Sequence, residues 1–141
     1  MPRNVYHEIN FHIVWRTKND VPSLIGDIER HVWRHLRKRA IDTGGVFVHE
    51  IGGMPDHIHM AVSVPPTVLV SEWIGKLKGG SSHFINHEVA NAKVLDWQTG
   101  YGIVSFGSKD LPWVVEYIRN QKEHHAASRV YDRLERIELL D

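Results

Sequence analysis

From Tyr6 to Thr17 the chain reads YHEINFHIVWRT, a run of aromatic and β-branched residues that predicts a strand at a central position in a sheet. A loop with Pro22 and Gly26 follows. Over residues 27 to 42 Ile28, Val32, Leu36 and Arg39/Ala40 recur at the spacing of one helical face. The TGG at 43 to 45 ends that helix, because glycine permits the left-handed backbone that commonly follows one. VFVHEIGG and HIHMAVSV then predict an antiparallel hairpin, with His57 near the start of its returning strand. After PPT, residues 68 to 88 predict a second helix whose apolar face is Val70, Ile74, Leu77, Phe84 and Ile85. Its middle is weakened by Gly75, Gly79 and Gly80. GYGIVSFG (100 to 107) predicts another strand. Residues 109 to 128 predict a last helix, with Asp110 as cap, Pro112 in the first turn, and Val114, Val115 and Ile118 as apolar positions.

The order β-α-β-β-α-β-α predicts an α+β fold. Its first six elements match the ferredoxin-like split βαβ pattern, an antiparallel sheet with two backing helices, and the seventh is an extra C-terminal helix. One domain is expected over residues 1–128, with a C-terminal tail over 129–141. Such a fold hosts many functions, so the chemistry must be read from side chains.

Composition narrows that chemistry. None of the 141 residues is cysteine, so disulfides and thiolate metal sites are excluded, leaving imidazole, carboxylate and amide groups as ligands. No apolar run approaches the roughly 20 residues of a membrane span, and the N-terminus has no signal-peptide apolar region. A soluble, cytoplasmic protein is expected. The 17 basic and 17 acidic residues cancel, which argues against a generic polyanion binder. Locally the balance differs: RHVWRHLRKRA (30 to 40) carries five Arg or Lys and two His, either a solvated face or a phosphate-binding one. Trp15, Trp33, Trp73 and Trp113 all fall in apolar periodic segments and are expected in the core or an interface rather than as base platforms.

Two constellations stand out. In GGMPDHIHMAV, His57 and His59 lie two apart on a strand and so share one face, which suits a metal ion and equally suits a half-exposed strand. In the last helix Tyr117 and Gln121 are four apart and share a face. The tyrosine offers a phenolic nucleophile and the glutamine a neutral amide oxygen for a hard cation; a core edge and a surface residue is the ordinary reading of the same pair. Taken together, two imidazoles and one amide leave open positions on Mg²⁺ or Mn²⁺ for substrate oxygens. A tyrosine one turn from a ligand then stands near a phosphodiester, which it could attack to form a covalent phosphotyrosine. The adjacent His124 and His125 diverge by about 100° on a helix, so at most one faces a metal, and both are left out of the expected site.

The motif MPDHIHMAVSVPP resembles the histidine-hydrophobe-histidine (HUH) motif of the single-tyrosine transposases of the IS200/IS605 insertion-sequence family, and EYIRNQKEHH resembles their tyrosine helix. WRTK, KLKGGSSHFIN and WQTGYGIVSFG are similar to the family as well, so the resemblance spans residues 6 to 126. It implies that His57 and His59 ligate the metal, that Gln121 is the third ligand and that Tyr117 is the nucleophile. It further implies cleavage and rejoining of single-stranded DNA at insertion-sequence ends marked by hairpins, through a 5′-phosphotyrosine. The partners it implies are that DNA and a second copy of the chain, in a homodimer where one tyrosine helix can complete the other subunit's metal site. Single-strand binding joins a positive groove to aromatic platforms, and Arg34, Arg37, Lys38, Arg39, Lys76 and Lys78 are the candidate DNA contacts. The acidic tail 132 to 141 lies outside the resemblance, as a short amphipathic helix or a disordered end. Two alternatives stay open, a domesticated REP-associated-type relative and a binding-only nucleic-acid module. A two-histidine phosphodiesterase would need two His-x-Ser/Thr motifs, whereas here Met60 follows His59.

Overall fold

The structure is a computed structural model and describes residues 4–127 and 130–137. Strand β1 (Asn10–Arg16) leads to helix α1 (Gly26–Asp42), the hairpin β2 (Phe47–Met54) and β3 (His57–Ser63), helix α2 (Val70–Phe84) and strand β4 (Gly102–Phe106). Three helical pieces close the chain: α3 (Leu111–Arg119), α4 (Gln121–Ala126) and α5 (Asp132–Glu135). The sheet order is β2-β3-β1-β4 with every neighbour antiparallel, the order of the split βαβ pattern.

Several boundaries differ from the pattern reading, each for a physical reason. Strand β1 begins at Asn10 rather than Tyr6, because both neighbouring ladders end there, at Ser63 and Phe106. The middle of α2 stays helical despite its glycines, and the helix loosens only at its end, into a wide turn at Ile85–Val89. The expected 109 to 128 helix breaks at Asn120, where asparagine, a poor helix-interior residue, takes φ −101° and ψ 26°. Asp110 holds the N-cap position of α3 without a side-chain cap bond, and Pro112 occupies the first turn. The expected domain limit at residues 128 and 129 and the tail's last residues, 138 to 141, lie outside the described residues. The rest of the tail includes the short helix α5.

Strand alternation divides the sheet into two faces. One presents Ile13, Trp15, Ile58, Met60 and Val62, which pack with Val32, Leu36 and Ala40 of α1 and Trp73, Ile74 and Leu77 of α2 into the main core. The opposite face presents His12, Val14, His57, His59 and Ala61. Onto it α3 lays Val114 and Ile118, which form a smaller apolar cluster with Ala61. The tyrosine helix is therefore seated on its own chain's sheet. Trp15 and Trp73 are buried and Trp33 packs against the core, but Trp113 is 49 % exposed. It falls just outside the inward stripe Val114, Tyr117 and Ile118 and stacks on Tyr117 instead. Among the described residues no helix is long and apolar enough to cross a membrane.

Candidate metal and tyrosine site

His57 and His59 are 2 % and 0 % exposed, and each has one ring nitrogen already engaged. His57 Nδ1 lies 2.7 Å from Asp56 Oδ1, and Asp56 is in turn held by Arg16 at 3.0 Å. His59 Nδ1 is hydrogen-bonded to His12 Nε2 at 2.8 Å. These contacts fix the rings and leave both Nε2 atoms buried without a hydrogen-bond partner. A metal-ligating histidine shows this arrangement, one nitrogen bonded to an outer group and the other free for the ion. The residues present thus fit a divalent cation.

Two further side chains converge on those nitrogens. Glu135 Oε1 lies 3.3 Å from His57 Nε2 and 3.2 Å from His59 Nε2, while His125 Nε2 is 3.7 Å from the same oxygen. One ligand atom from each of His57, His59, His125 and Glu135 lies within 4.8 Å of all the others. Neither His125 nor Glu135 belongs to the expected site. The adjacent histidines do diverge on the helix: His125 faces the cluster while His124 stacks on the Tyr117 ring at 5.1 Å. Gln121 is buried directly behind: its Oε1 is 3.0 Å from His125 Nε2, and its Nε2 donates to the Tyr117 carbonyl at 3.3 Å.

Tyr117 is 4 % exposed, its ring edge-on to His59 with centroids 6.1 Å apart. Its hydroxyl donates to Glu135 Oε2 and accepts from the Tyr131 backbone N–H at 2.8 Å. A cleft of about 270 Å³, lined by Trp113, Glu116, Tyr117, His124, Val130 and Tyr131, opens beside the ring. Burial and the Glu135 carboxylate push the Tyr117 phenol up to about 12, so at neutral pH it carries its proton. Burial would also raise Glu135, but the close approach of the His57 and His59 rings holds it well below the ordinary carboxylate value. For His57 burial opposes the charged ring, and the facing carboxylates of Glu135 and Asp56 outweigh it, so its pKa rises. Burial wins at His59 and His12, which are shifted down.

The expected DNA contacts are not brought to this site. Arg34, Lys38, Arg39 and Lys76 are exposed on α1 and α2, the layer behind the opposite sheet face, and Arg37 pairs with Glu50 at 3.7 Å. A cleft of about 500 Å³ between those helices carries Arg39 and Lys76 but also Asp42 and Glu72. Lys78 is engaged within the fold, where its ammonium donates to the carbonyls of Gln98 at 2.7 Å and Gly100 at 2.8 Å, tying α2 to the loop before β4. Replacing Lys78 by Met is expected to cost about 1–3 kcal/mol, since two carbonyls lose a charged donor. Urea unfolding measures that loss, and an unchanged midpoint would contradict the tie.

Comparison with known proteins now bears on the same residues. The family model described as "Transposase IS200 like" matches residues 5–121, from before β1 to Gln121. The chain belongs to the IS200-like transposase family. It is 31% identical over 118 residues to the transposase for insertion sequence element IS200 of Salmonella typhimurium, covering 80% of this chain and 76% of that protein. It is 24% identical over 127 residues to the ISDra2 transposase TnpA of Deinococcus radiodurans, covering 86% and 89%. Among solved structures, a putative transposase from Deinococcus radiodurans superposes with TM-score 0.68 at 20% identity, over 86% of this chain and 96% of that one. A REP-associated tyrosine transposase bound to a REP hairpin superposes with TM-score 0.63 at 16% identity, over 92% and 75%. This IS200-like transposase shares their α+β fold, and the family match ends before His125 and Glu135.

Proposed function

We propose that this transposase cleaves and rejoins single-stranded DNA at the ends of an insertion sequence, with Tyr117 as the nucleophile. The observation that carries the reading is the buried Tyr117 standing beside two imidazoles whose free Nε2 atoms converge. His57, His59 and Gln121 are the residues proposed to hold Mg²⁺ or Mn²⁺. When bound, such an ion supplies Lewis-acid polarisation of the phosphodiester oxygens.

The chain's own residues do the rest. Asp56 and His12 orient the two rings, while Trp113 and His124 sandwich the tyrosine ring and fix the direction of its hydroxyl. In cleavage Tyr117 Oη gives its proton to water and bonds to phosphorus, and the 3′ oxygen leaves with the bonding pair and takes up a proton from water. The 5′ end stays on the enzyme. Attack by another 3′ hydroxyl reverses the step, so the phosphodiester energy is conserved and no nucleotide cofactor is needed.

A hairpin substrate is supported by the REP hairpin in the complex of the similar protein. The proposed hairpin contacts are Arg34, Arg37, Lys38, Arg39 and Lys76, with Lys78 withdrawn by its bonds to the two loop carbonyls. The proposed assembly is a homodimer acting on DNA in the cytoplasm. A site completed in trans would require α3 to leave its own sheet for the partner's.

The test uses labelled top and bottom strands from the DNA on both sides of the gene, incubated with the protein and Mn²⁺ and run on a denaturing gel. A protein-linked band on one strand, lost in EDTA, is the expected result. Absence of any band with Mn²⁺ bound would favour a binding-only module. Matching hairpins on both flanks distinguish a mobile element from a domesticated REP-associated relative.

A further inference from the structure

We infer that Glu135 is a carboxylate donor to the divalent ion, so that the segment following the family match completes the metal centre. The inference rests on the proposed metal site and adds to it a residue that the HUH motif and the tyrosine helix do not contain.

Three observations carry it. First, Glu135 Oε1 is nearly equidistant from the two free imidazole nitrogens, at 3.3 and 3.2 Å, and so occupies the point on which they converge. Gln121 stands at the edge of the same cluster with both polar atoms engaged, Oε1 by His125 Nε2 and Nε2 by the Tyr117 carbonyl, whereas Glu135 faces both imidazole nitrogens directly. Second, the carboxylate is delivered by a seated segment. Leu134 is 1 % exposed, Arg133 donates to the Ser105 carbonyl at 2.7 Å, and the Arg136 carbonyl lies against Gly102, where a Cβ would overlap it. Leucine burial, a strand-edge hydrogen bond and a glycine opening each point the segment at the histidines. Third, the chemistry favours a carboxylate. Two imidazoles and an amide bring no negative charge to a hard divalent cation, which prefers anionic oxygen. Glu135 supplies one such charge with Oε1 while Oε2 remains on the Tyr117 hydroxyl, so one carboxylate spans the metal position and the nucleophile.

Isothermal titration of Mn²⁺ into the full chain tests this without reference to cleavage. Glu135→Ala is expected to weaken Mn²⁺ binding at least about tenfold. The isosteric Glu135→Gln should fall between it and the wild type, and serves if the alanine variant unfolds. Glu72→Ala, a change of the same charge on an exposed helix face, should leave binding unchanged. Equal Mn²⁺ affinity in wild type and Glu135→Ala would overturn the inference, and tighter binding in the variant would make the carboxylate a competitor of the ion rather than its ligand. Either outcome leaves the metal site standing if His57→Ala, His59→Ala abolishes binding. No binding by the wild type removes the site and this donor with it.

Discussion

Tyr117→Phe is expected to remove the protein-linked DNA band and to lower cleavage by at least about 10³-fold, the scale seen when an enzyme loses its nucleophile. The variant deletes one oxygen. Its ring keeps the stacking on Trp113, centroids 5.6 Å apart, and on His124, so the aromatic column that positions residue 117 survives. Because the tyrosine is almost wholly buried, it offers little surface to a hairpin, and hairpin affinity should stay within about twofold of wild type, under 0.5 kcal/mol. Glu135 Oε2 and the Tyr131 N–H each lose a partner, which is expected to cost about 1–3 kcal/mol of stability and calls for a melting control. A gel shift beside the cleavage gel separates the cases. A surviving covalent band would assign the nucleophile to another residue, and cleavage undiminished without one would replace the covalent route by hydrolysis.

The parts of this site readable in the sequence are those set by local spacing. His57 and His59 share a face because strand side chains alternate, and Tyr117 and Gln121 come together because they are one helical turn apart. Long periodic segments also specified the sheet and both backing helices. What spacing does not carry is register between distant segments. His12 reaches His59 across 47 residues of chain because Val14 pairs with His59 in the β1–β3 ladder, a consequence of sheet assembly. Glu135 arrives from a segment with no long apolar period, seated by Leu134, by the Arg133 bond to Ser105 and by the Arg136 carbonyl against Gly102. His125 turns toward the histidines through a helix that restarts after Asn120, a break that an unbroken helical reading of 109 to 128 does not contain. Lys78 shows the converse: a basic residue among others reads as a DNA contact, yet two loop carbonyls claim it.

The separation between sheet and tyrosine helix depends on a residue with no side chain, and Gly52→Ala is expected to lower cleavage on the order of 10²-fold while Tyr117 itself is intact. Gly52 pairs with His59 and therefore lies on the histidine face, directly under α3. A Cβ there would stand 2.5 Å from the Ile118 carbonyl oxygen and 3.1 Å from its Cγ2. A backbone oxygen has no rotamer by which to turn aside, so the end of α3 around Ile118 must shift. Residue 117 is one position from the contact, and a displacement of about 1 Å at a reacting group is enough for the predicted loss. Overpacking of this kind costs about 1–3 kcal/mol, largely borne by the small Ala61, Val114 and Ile118 cluster, while the main core lies on the far face of the sheet. The variant should therefore still unfold cooperatively, with a lowered midpoint, and still bind hairpin DNA through α1 and α2. Unchanged cleavage would mean that no tyrosine helix, the chain's own or a partner's, rests on residue 52 in the active arrangement.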